Sequence, residues 1–517
     1  MNEPLDRRVD RRAFLARTAA LGAAGTVSLP AIAEAAPVPP GEPAAVAVEP
    51  RPEAVADPTE LTIAEAATLI RRGRLRPEEL LQACLDRIRA FDGVYQAFNT
   101  VRTDRAGTGS RGPLRGIPLA IKDNYFTAGT PTTANSFLFA GFVPPFDATA
   151  VARLTAAGAV VLGKTQMGPL ATTRATTPDG RVTTVNAWAP DRPEVDPGGS
   201  STGTATAVAG RMATSGIGTQ TGGSITAPAN AQNLTGLKPT MGRVSLHGII
   251  PLSYTRDHPG PLARDALDAA IMLSAMAGPD PHDPRTQGLP RVPDLVTAAT
   301  PVVRGGRVRL RWPTRIGVIP GYTSGDSPAA RARAAFLDTL AGVPGVTLVD
   351  VPLPAEWELL TGGTFNNVRL PERSEPFLPQ LTGDLRRFGV SVLGWLQGAL
   401  LGADEYLIGQ RAKVVLLDRV LTDLFARCDV VVQTNPVPFD IIGLPELGLP
   451  IGFTPDGLPI GTILGGLPFG EDRLLSIAAA YQARTTWHRR RPADPAVAAA
   501  AAARPRLSAL DVLETME

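Results

Sequence analysis

Three short segments carry side chains able to act together on a carbonyl group. The first, Gly116-Ile117-Pro118-Leu119-Ala120-Ile121-Lys122-Asp123-Asn124, sets Lys122 at the end of an apolar run. Burial there disfavours the ammonium form and lowers the lysine pKa, which a general base working near neutral pH requires. The second, Pro197-Gly198-Gly199-Ser200-Ser201-Thr202-Gly203-Thr204, is built of small residues that let backbone and hydroxyls crowd together. In the third, Thr219-Gln220-Thr221-Gly222-Gly223-Ser224-Ile225, a hydroxyl follows a Gly pair whose N–H groups can converge on an anion. Each segment alone has a plain structural reading, because Gly-Ser runs are usually loops and strand-end lysines are usually solvated. Lysine is scarce, with Lys122, Lys164, Lys238 and Lys413 against 47 arginines, and only lysine can lose its proton.

Competing chemistries find less support. Gly158-Ala159-Val160-Val161-Leu162-Gly163-Lys164-Thr165 matches the phosphate-loop expression GxxxxGK[ST]. Its four intervening residues read as a buried strand that no phosphate could approach, so Lys164 reads as structural. His247, His258, His282 and His488 show no HExxH or paired metal spacing. Cys84 and Cys428 lie in apolar segments and read as buried free thiols. No metal and no cofactor is therefore expected.

The elements that must position these residues alternate. Thr62-Ile63-Ala64-Glu65 is a capping box opening a helix, and a second helix follows Pro77 with Leu80, Leu81, Cys84, Leu85 and Ile88 on one face. Ile117–Ile121 and Ala159–Leu162 read as buried strands with a helix from Ala148 to Ala157 between them, and Ala205–Met212 reads as a helix. Further strands are predicted at Arg315–Ile319, Val346–Val351, Val430–Gln433 and Leu449–Phe453. Strands alternating with helices predict an α/β fold with a largely parallel sheet covered on both faces. Pro354–Arg427, helical and irregular, is expected to cover the sheet. No composition break divides 58–490, so these residues are expected to form one catalytic domain, with 36–57 a linker and 491–517 an Ala-, Pro- and Arg-rich peripheral tail.

In order and spacing the three segments resemble the amidase signature family. The resemblance runs from about Leu61 to Trp487 and is densest from Gly198 to Arg243, ending in Gly236-Leu237-Lys238-Pro239-Thr240-Met241-Gly242-Arg243-Val244-Ser245. Pro131–Ser136, Gly163–Met167, Gly443–Pro445 and Gly457–Gly461 add further matches. It implies one large domain around a mixed, mostly parallel twisted sheet with helices on both faces. It also implies a cofactor-free Ser-Ser-Lys amide hydrolase in which Ser224 is the nucleophile, Ser200 the bridging serine and Lys122 the base. The Gly199–Ser200 peptide would be cis. Thr221, Gly222, Gly223 and Ser224 would supply oxyanion N–H groups. Ser201 either holds the lysine or caps the following helix. Several positions depart from the family pattern. Gln220 stands where most members carry Asp, Ser201-Thr202-Gly203-Thr204 replaces Ser-Gly-Gly-Ser, Thr226 replaces a common Arg, and Asn230–Asn233 replaces a small apolar run.

The implied substrate is a small-molecule amide, with a pocket expected near Trp188, Phe365–Val368 and the stretch up to Arg427. An ammonia-releasing amidotransferase component is the main rival reading. Dimers are common in the family, so a homodimer is open. Formal net charge is only +2, which points to no nucleic acid and no membrane surface as partner. Arg11-Arg12-Ala13-Phe14-Leu15, a weakly apolar stretch from Thr18 to Ile32 and small-x-small sites at Ala31–Ala33 and Ala33–Ala35 resemble a twin-arginine signal over residues 1–35. That segment is too short and mild to span a bilayer stably, so the expectation is export rather than anchoring.

Overall fold

A computed structural model describes residues 48–103, 112–496 and 504–514, which all fall in one compact unit. Residues 1–35, and with them the signal reading, lie outside the described residues. Thirteen strands follow in chain order: β1 Phe98–Val101, β2 Pro118–Lys122, β3 Val160–Thr165, β4 Ser215–Gln220, β5 Thr235–Lys238, β6 His258–Ala263, β7 Val302–Arg304, β8 Arg307–Arg309, β9 Thr314–Val318, β10 Val346–Asp350, β11 Val430–Gln433, β12 Glu446–Phe453 and β13 Pro459–Gly466. All but the β7–β8 hairpin join one mixed sheet of 11 strands in the order β1-β3-β2-β4-β6-β5-β12-β13-β11-β9-β10.

The sheet is parallel through β3-β2-β4 on one side and through β11-β9-β10 on the other. Between these runs β6, β5, β12 and β13 pair antiparallel. The α/β expectation holds in its main outline, and the six strands and four helices read from the sequence all form, the helix expected at Ala205–Met212 lying at Thr202–Ala209 and the strand expected from Leu449 starting at Glu446. β4, β5, β6 and β13 escape that reading because glycine and proline interrupt their apolar runs. The interruptions have a packing cause. A Cβ on Gly216 would sit 2.5 Å from Thr204 Cγ2, and one on Gly218 would sit 2.5 Å from Ser201 Oγ. Glycine lets helix Thr202–Ala209 and the serines before it lie directly on β4.

The N-terminal helices form as patterned. Thr62 Oγ1 accepts from Glu65 N–H and the Glu65 carboxylate accepts from Thr62 N–H, so the box caps helix Ile63–Arg71 reciprocally. All five face residues of helix Pro77–Tyr95 are buried. Order begins earlier than the composition of 36–57 implied: Pro52–Ala56 is helical, Ala54 is buried, and Arg51 Nε donates to Glu65 Oε1 at 2.7 Å. A charge pair with the capping carboxylate ties down a segment that has no periodicity of its own. In the tail, Leu507 N–H donates to Gly180 O and Val512 is buried, so part of it packs on the body of the protein.

The stretch from Pro354 to Arg427 is helical. Phe377, Phe388 and Trp395 pack into one apolar cluster with Met167, Leu170 and Ile250. Among the described residues no helix is long and apolar enough to cross a membrane.

Candidate active site

Lys122 ends β2, and the neighbouring parallel strand β4 ends at Gln220 on the same edge of the sheet. Parallel register thus brings the lysine beside Thr219 and the Gly-Gly-Ser loop that follows. Ser200 and Ser201 precede helix Thr202–Ala209, which packs on these strands. The Gly199–Ser200 peptide is cis.

Lys122 and Ser200 are fully buried, and Ser224 is 6% exposed, so the three residues run from the interior towards solvent. Lys122 Nζ lies 2.8 Å from Ser200 Oγ, 2.9 Å from Thr219 Oγ1 and 3.2 Å from Thr219 O. Burial pushes the Lys122 pKa from 10.5 down to about 7, and the more weakly acting charge of Asp257 pulls it back up. A neutral amine has two N–H bonds and one lone pair. Thr219 presents two acceptors, which leaves the lone pair directed at the Ser200 hydroxyl. Thr219 is absent from the site read from sequence. Its only signal was its place one residue before Gln220, in the same motif as Ser224. Asn124 Nδ2 also donates to Thr219 Oγ1, at 3.0 Å.

Among the described residues Ser201 makes no hydrogen bond to the lysine and no side-chain cap on the helix. It occupies the N-cap position of helix Thr202–Ala209 without a side-chain capping bond, and its Oγ donates to Thr219 O at 3.3 Å. It therefore braces the carbonyl that Lys122 also uses. Its backbone N–H donates to Ser224 O at 3.3 Å, tying the two serine segments together.

The Gly-Gly-Ser loop is fastened on both flanks. On one side Thr221 Oγ1 donates to Asp257 Oδ1, and Arg256 Nη2 donates to Thr221 O at 2.7 Å. On the other, Gly223 N–H donates to Asp440 Oδ2 at 2.8 Å. That bond corrects the expectation for Gly223: the buried carboxylate takes its N–H as a partner, so it is not free to meet a developing oxyanion. Among the described residues the N–H groups of Thr221, Gly222 and Ser224 have no acceptor in the protein. Gly222 is exposed, and a Cβ there would meet open space. These three N–H groups are the ones left to bind an anion.

Gln220, the departure from the family's Asp, lies at the centre of this frame. Its Oε1 accepts from Ile225 N–H and Thr226 N–H, both at 2.9 Å. Its Nε2 donates to Asp440 Oδ1 at 2.9 Å and Glu446 Oε2 at 3.0 Å. Thr226, a second departure, turns its hydroxyl towards Gln220 Oε1 and Gly223 O. Thr202, a third, accepts from Ala175 N–H at 3.0 Å.

Other expectations settle differently. Trp188 packs on Phe453 and donates to Gln232 O, past the end of helix Thr226–Ala231 remote from Ser224, so it does not line the site. The Phe365 side chain lies outside the described residues, and Val368 is buried. A cavity of about 320 Å³ is lined in part by His247, Ile249, Tyr254, Asp257 and His282; of these only Asp257 bonds the Gly-Gly-Ser loop, and neither the lysine nor the serines line it. Lys164 is buried in β3, 3.1 Å from Asp123 Oδ1, and donates to Tyr125 O and Thr132 Oγ1. It is an internal cross-link in a strand, as its apolar neighbours implied. Cys84 and Cys428 are buried free thiols.

Comparisons with known proteins place the chain in a family. A family model described as Amidase matches residues 79–368. A glutamyl-tRNA(Gln) amidotransferase component of Chloroflexus aurantiacus is 34% identical over 491 residues, covering 84% of this chain and 98% of the relative. The native peptide amidase of Stenotrophomonas maltophilia superposes with a TM-score of 0.67 at 29% identity, covering 85% of this chain and 99% of that one. 6-Aminohexanoate cyclic dimer hydrolase shares the fold with a TM-score of 0.73 at 23% identity, over 84% of this chain and 99% of that one. The chain belongs to the amidase signature family of hydrolases acting on C–N bonds.

Proposed function

We propose that the protein hydrolyses a carboxylic amide to an acid and an amine or ammonia through an acyl-enzyme on Ser224. The observation that carries this reading is a fully buried Lys122, with a pKa of about 7, whose Nζ lies 2.8 Å from Ser200 Oγ. Neutral Lys122 takes the proton of Ser200 as Ser200 takes that of Ser224, and Ser224 Oγ bonds to the substrate carbonyl carbon. The carbonyl oxygen gains negative charge, which the N–H groups of Thr221, Gly222 and Ser224 stabilise. Collapse breaks the C–N bond, and the proton returns through Ser200 to the leaving nitrogen. Water then attacks the ester by the same relay and frees the acid. Thr219 and Ser201 orient Lys122 and touch no substrate. Ester cleavage follows as a side activity, because the acyl-enzyme is common to both.

Labelling with a fluorophosphonate probe tests the reading. The wild type is expected to label on Ser224 and the Ser224→Ala variant to stay unlabelled; an unlabelled wild type overturns the reading.

A second reading is favoured by the 34% identity to an amidotransferase component. Here the same acyl-enzyme chemistry would release ammonia from glutamine inside an assembly. Glutamine turnover that rises only in the presence of co-purifying partners would support it; turnover of aryl or peptide amides by the isolated chain, as a monomer or homodimer, would sink it. The Arg11-Arg12 segment favours the free amidase, because it supports export of a folded protein. Residues 1–35 fused to a reporter should carry it out of the cytoplasm, and replacing both arginines with lysine should retain it. A reporter that stays inside in both forms refutes export.

A further inference from the structure

Four polar side chains meet behind the Gly-Gly-Ser loop, away from solvent. Gln220, Lys238, Asp440 and Glu446 are all fully buried. They come from β4, β5, the helix Val437–Ile442 and β12, converging where β5 pairs with β12 and Glu446 lies opposite Lys238. Lys238 Nζ sits 3.5 Å from Asp440 Oδ1 and 3.7 Å from Glu446 Oε2, and it donates to Leu444 O. Burial and the neighbouring Asp440 hold the Glu446 carboxyl well above the usual carboxylate range.

Asp440 divides its two oxygens between two tasks: Oδ1 accepts from Gln220 Nε2, and Oδ2 accepts from Gly223 N–H. Gln220 divides its amide likewise, with Nε2 on the carboxyl groups and Oε1 on the Ile225 and Thr226 N–H groups. Together the two side chains hold the backbone on both sides of Ser224, at positions 223, 225 and 226. A carboxylate at 220 could accept from Ile225 and Thr226 but could not donate to Asp440. The amide at 220 and the carboxylate at 440 are thus matched to each other.

We infer that Gln220 and Asp440 act as one positioning pair, which turns Gly223 N–H inward and so fixes the Gly222 and Ser224 N–H groups and the Ser224 hydroxyl in attacking position. The inference rests on the Ser224 reading above. It accounts for the departure at position 220, since the donor that the family's Asp lacks is needed here to meet Asp440. Neither residue is catalytic.

A charge-type exchange tests the pairing. Asp440→Asn leaves one carbonyl oxygen to satisfy both Gly223 N–H and Gln220 Nε2, so one contact becomes donor against donor. Gln220→Glu sets two carboxylates face to face. The double variant restores one donor and one acceptor at the contact, keeps acceptors for residues 223, 225 and 226, and leaves the net charge unchanged. At about pH 8 each single variant is expected to lower the rate of Ser224 acylation roughly a hundredfold, the scale of a displaced oxyanion donor, with KM within about threefold of wild type. The double variant is expected to return to within about threefold. Singles within twofold of wild type, or a double as slow as its singles with an intact melting transition, overturn the inference. If Asp440→Asn does not fold, Gln220→Glu alone decides. Its facing carboxylates need a shared proton, so it should lose activity as pH rises where the wild type does not, and an unchanged alkaline limb refutes the pairing. Wild-type labelling on Ser224 is measured first. Its absence would remove the hydrolase reading itself, a result separate from a failed rescue.

Discussion

The protonation state of Lys122 gives the sharpest prediction. An exposed lysine titrates at 10.5, and burial brings Lys122 to about 7. At roughly 1.36 kcal/mol per pH unit, the difference is a preference of about 5 kcal/mol for the neutral amine over that in water. The acylation rate should therefore rise with pH as Lys122 loses its proton. It should be half-maximal near pH 7, fall about tenfold for each pH unit well below that, and be flat above about pH 8.5. Because the folded pKa lies below the unfolded one, the unfolded chain binds the extra proton between about pH 7 and 10.5, and this group makes folding more favourable as pH rises through that window. Lys122→Met removes both the base and the cost of holding a buried amine in its neutral form. It should slow labelling of Ser224 by about 10³-fold. Its melting temperature should stay within a few degrees of wild type, because the desolvation cost removed offsets the two hydrogen bonds lost to Thr219, worth about 1 kcal/mol each. The assay is the second-order rate of fluorophosphonate labelling from about pH 5.5 to 9.5, beside thermal melts. Lys413, which burial brings to about 8, titrates nearby, so Lys413→Gln is run in parallel and should leave the midpoint in place. A midpoint above about 9, or a Lys122→Met variant that labels at the wild-type rate, refutes the reasoning.

Other consequences follow from single contacts. Thr219→Val deletes a hydroxyl that accepts from Lys122 and Asn124; kcat should fall about 10- to 100-fold, consistent with a cost of about 1–3 kcal/mol for unpaired buried donors, and KM should hold. Lys164→Met breaks a buried pair with Asp123 and should lower stability by about 3–5 kcal/mol in denaturant titration, whereas calorimetry with ATP should show no binding by the wild type. Gly199→Ala would place a Cβ 2.5 Å from Thr173 O and 2.7 Å from Arg174 backbone atoms. It should abolish labelling of Ser224 while the purified protein stays folded by circular dichroism, and full labelling would refute the close packing around Ser200.

Local sequence carried a good part of the fold. The capping box at Thr62, the apolar face from Leu80 to Ile88, and the strands β2, β3, β9, β10 and β11, each built on a run of aliphatic or β-branched residues with at most one Gly or Pro, are specified by neighbours within one element, so periodicity and capping rules find them. The candidate chemical groups were legible too, but only in combination: each segment alone reads as a loop or a solvated lysine, and it is the order and spacing of the three that resemble one family and so single out Lys122, Ser200 and Ser224. The Gly- and Pro-broken strands were not, since their burial comes from helices and strands that lie on them and not from their own side chains. Partnership emerges in three dimensions. Nothing near Gly223 in the chain announces that its N–H is held by Asp440, 217 residues away, and nothing beside Gln220 shows that its amide must meet two carboxyl groups from a distant helix and strand. A buried polar atom must find a partner wherever the fold supplies one. Residue types and their order therefore single out the candidate groups for the chemistry, while the packing of distant segments decides which backbone donors near them lack a partner within the protein.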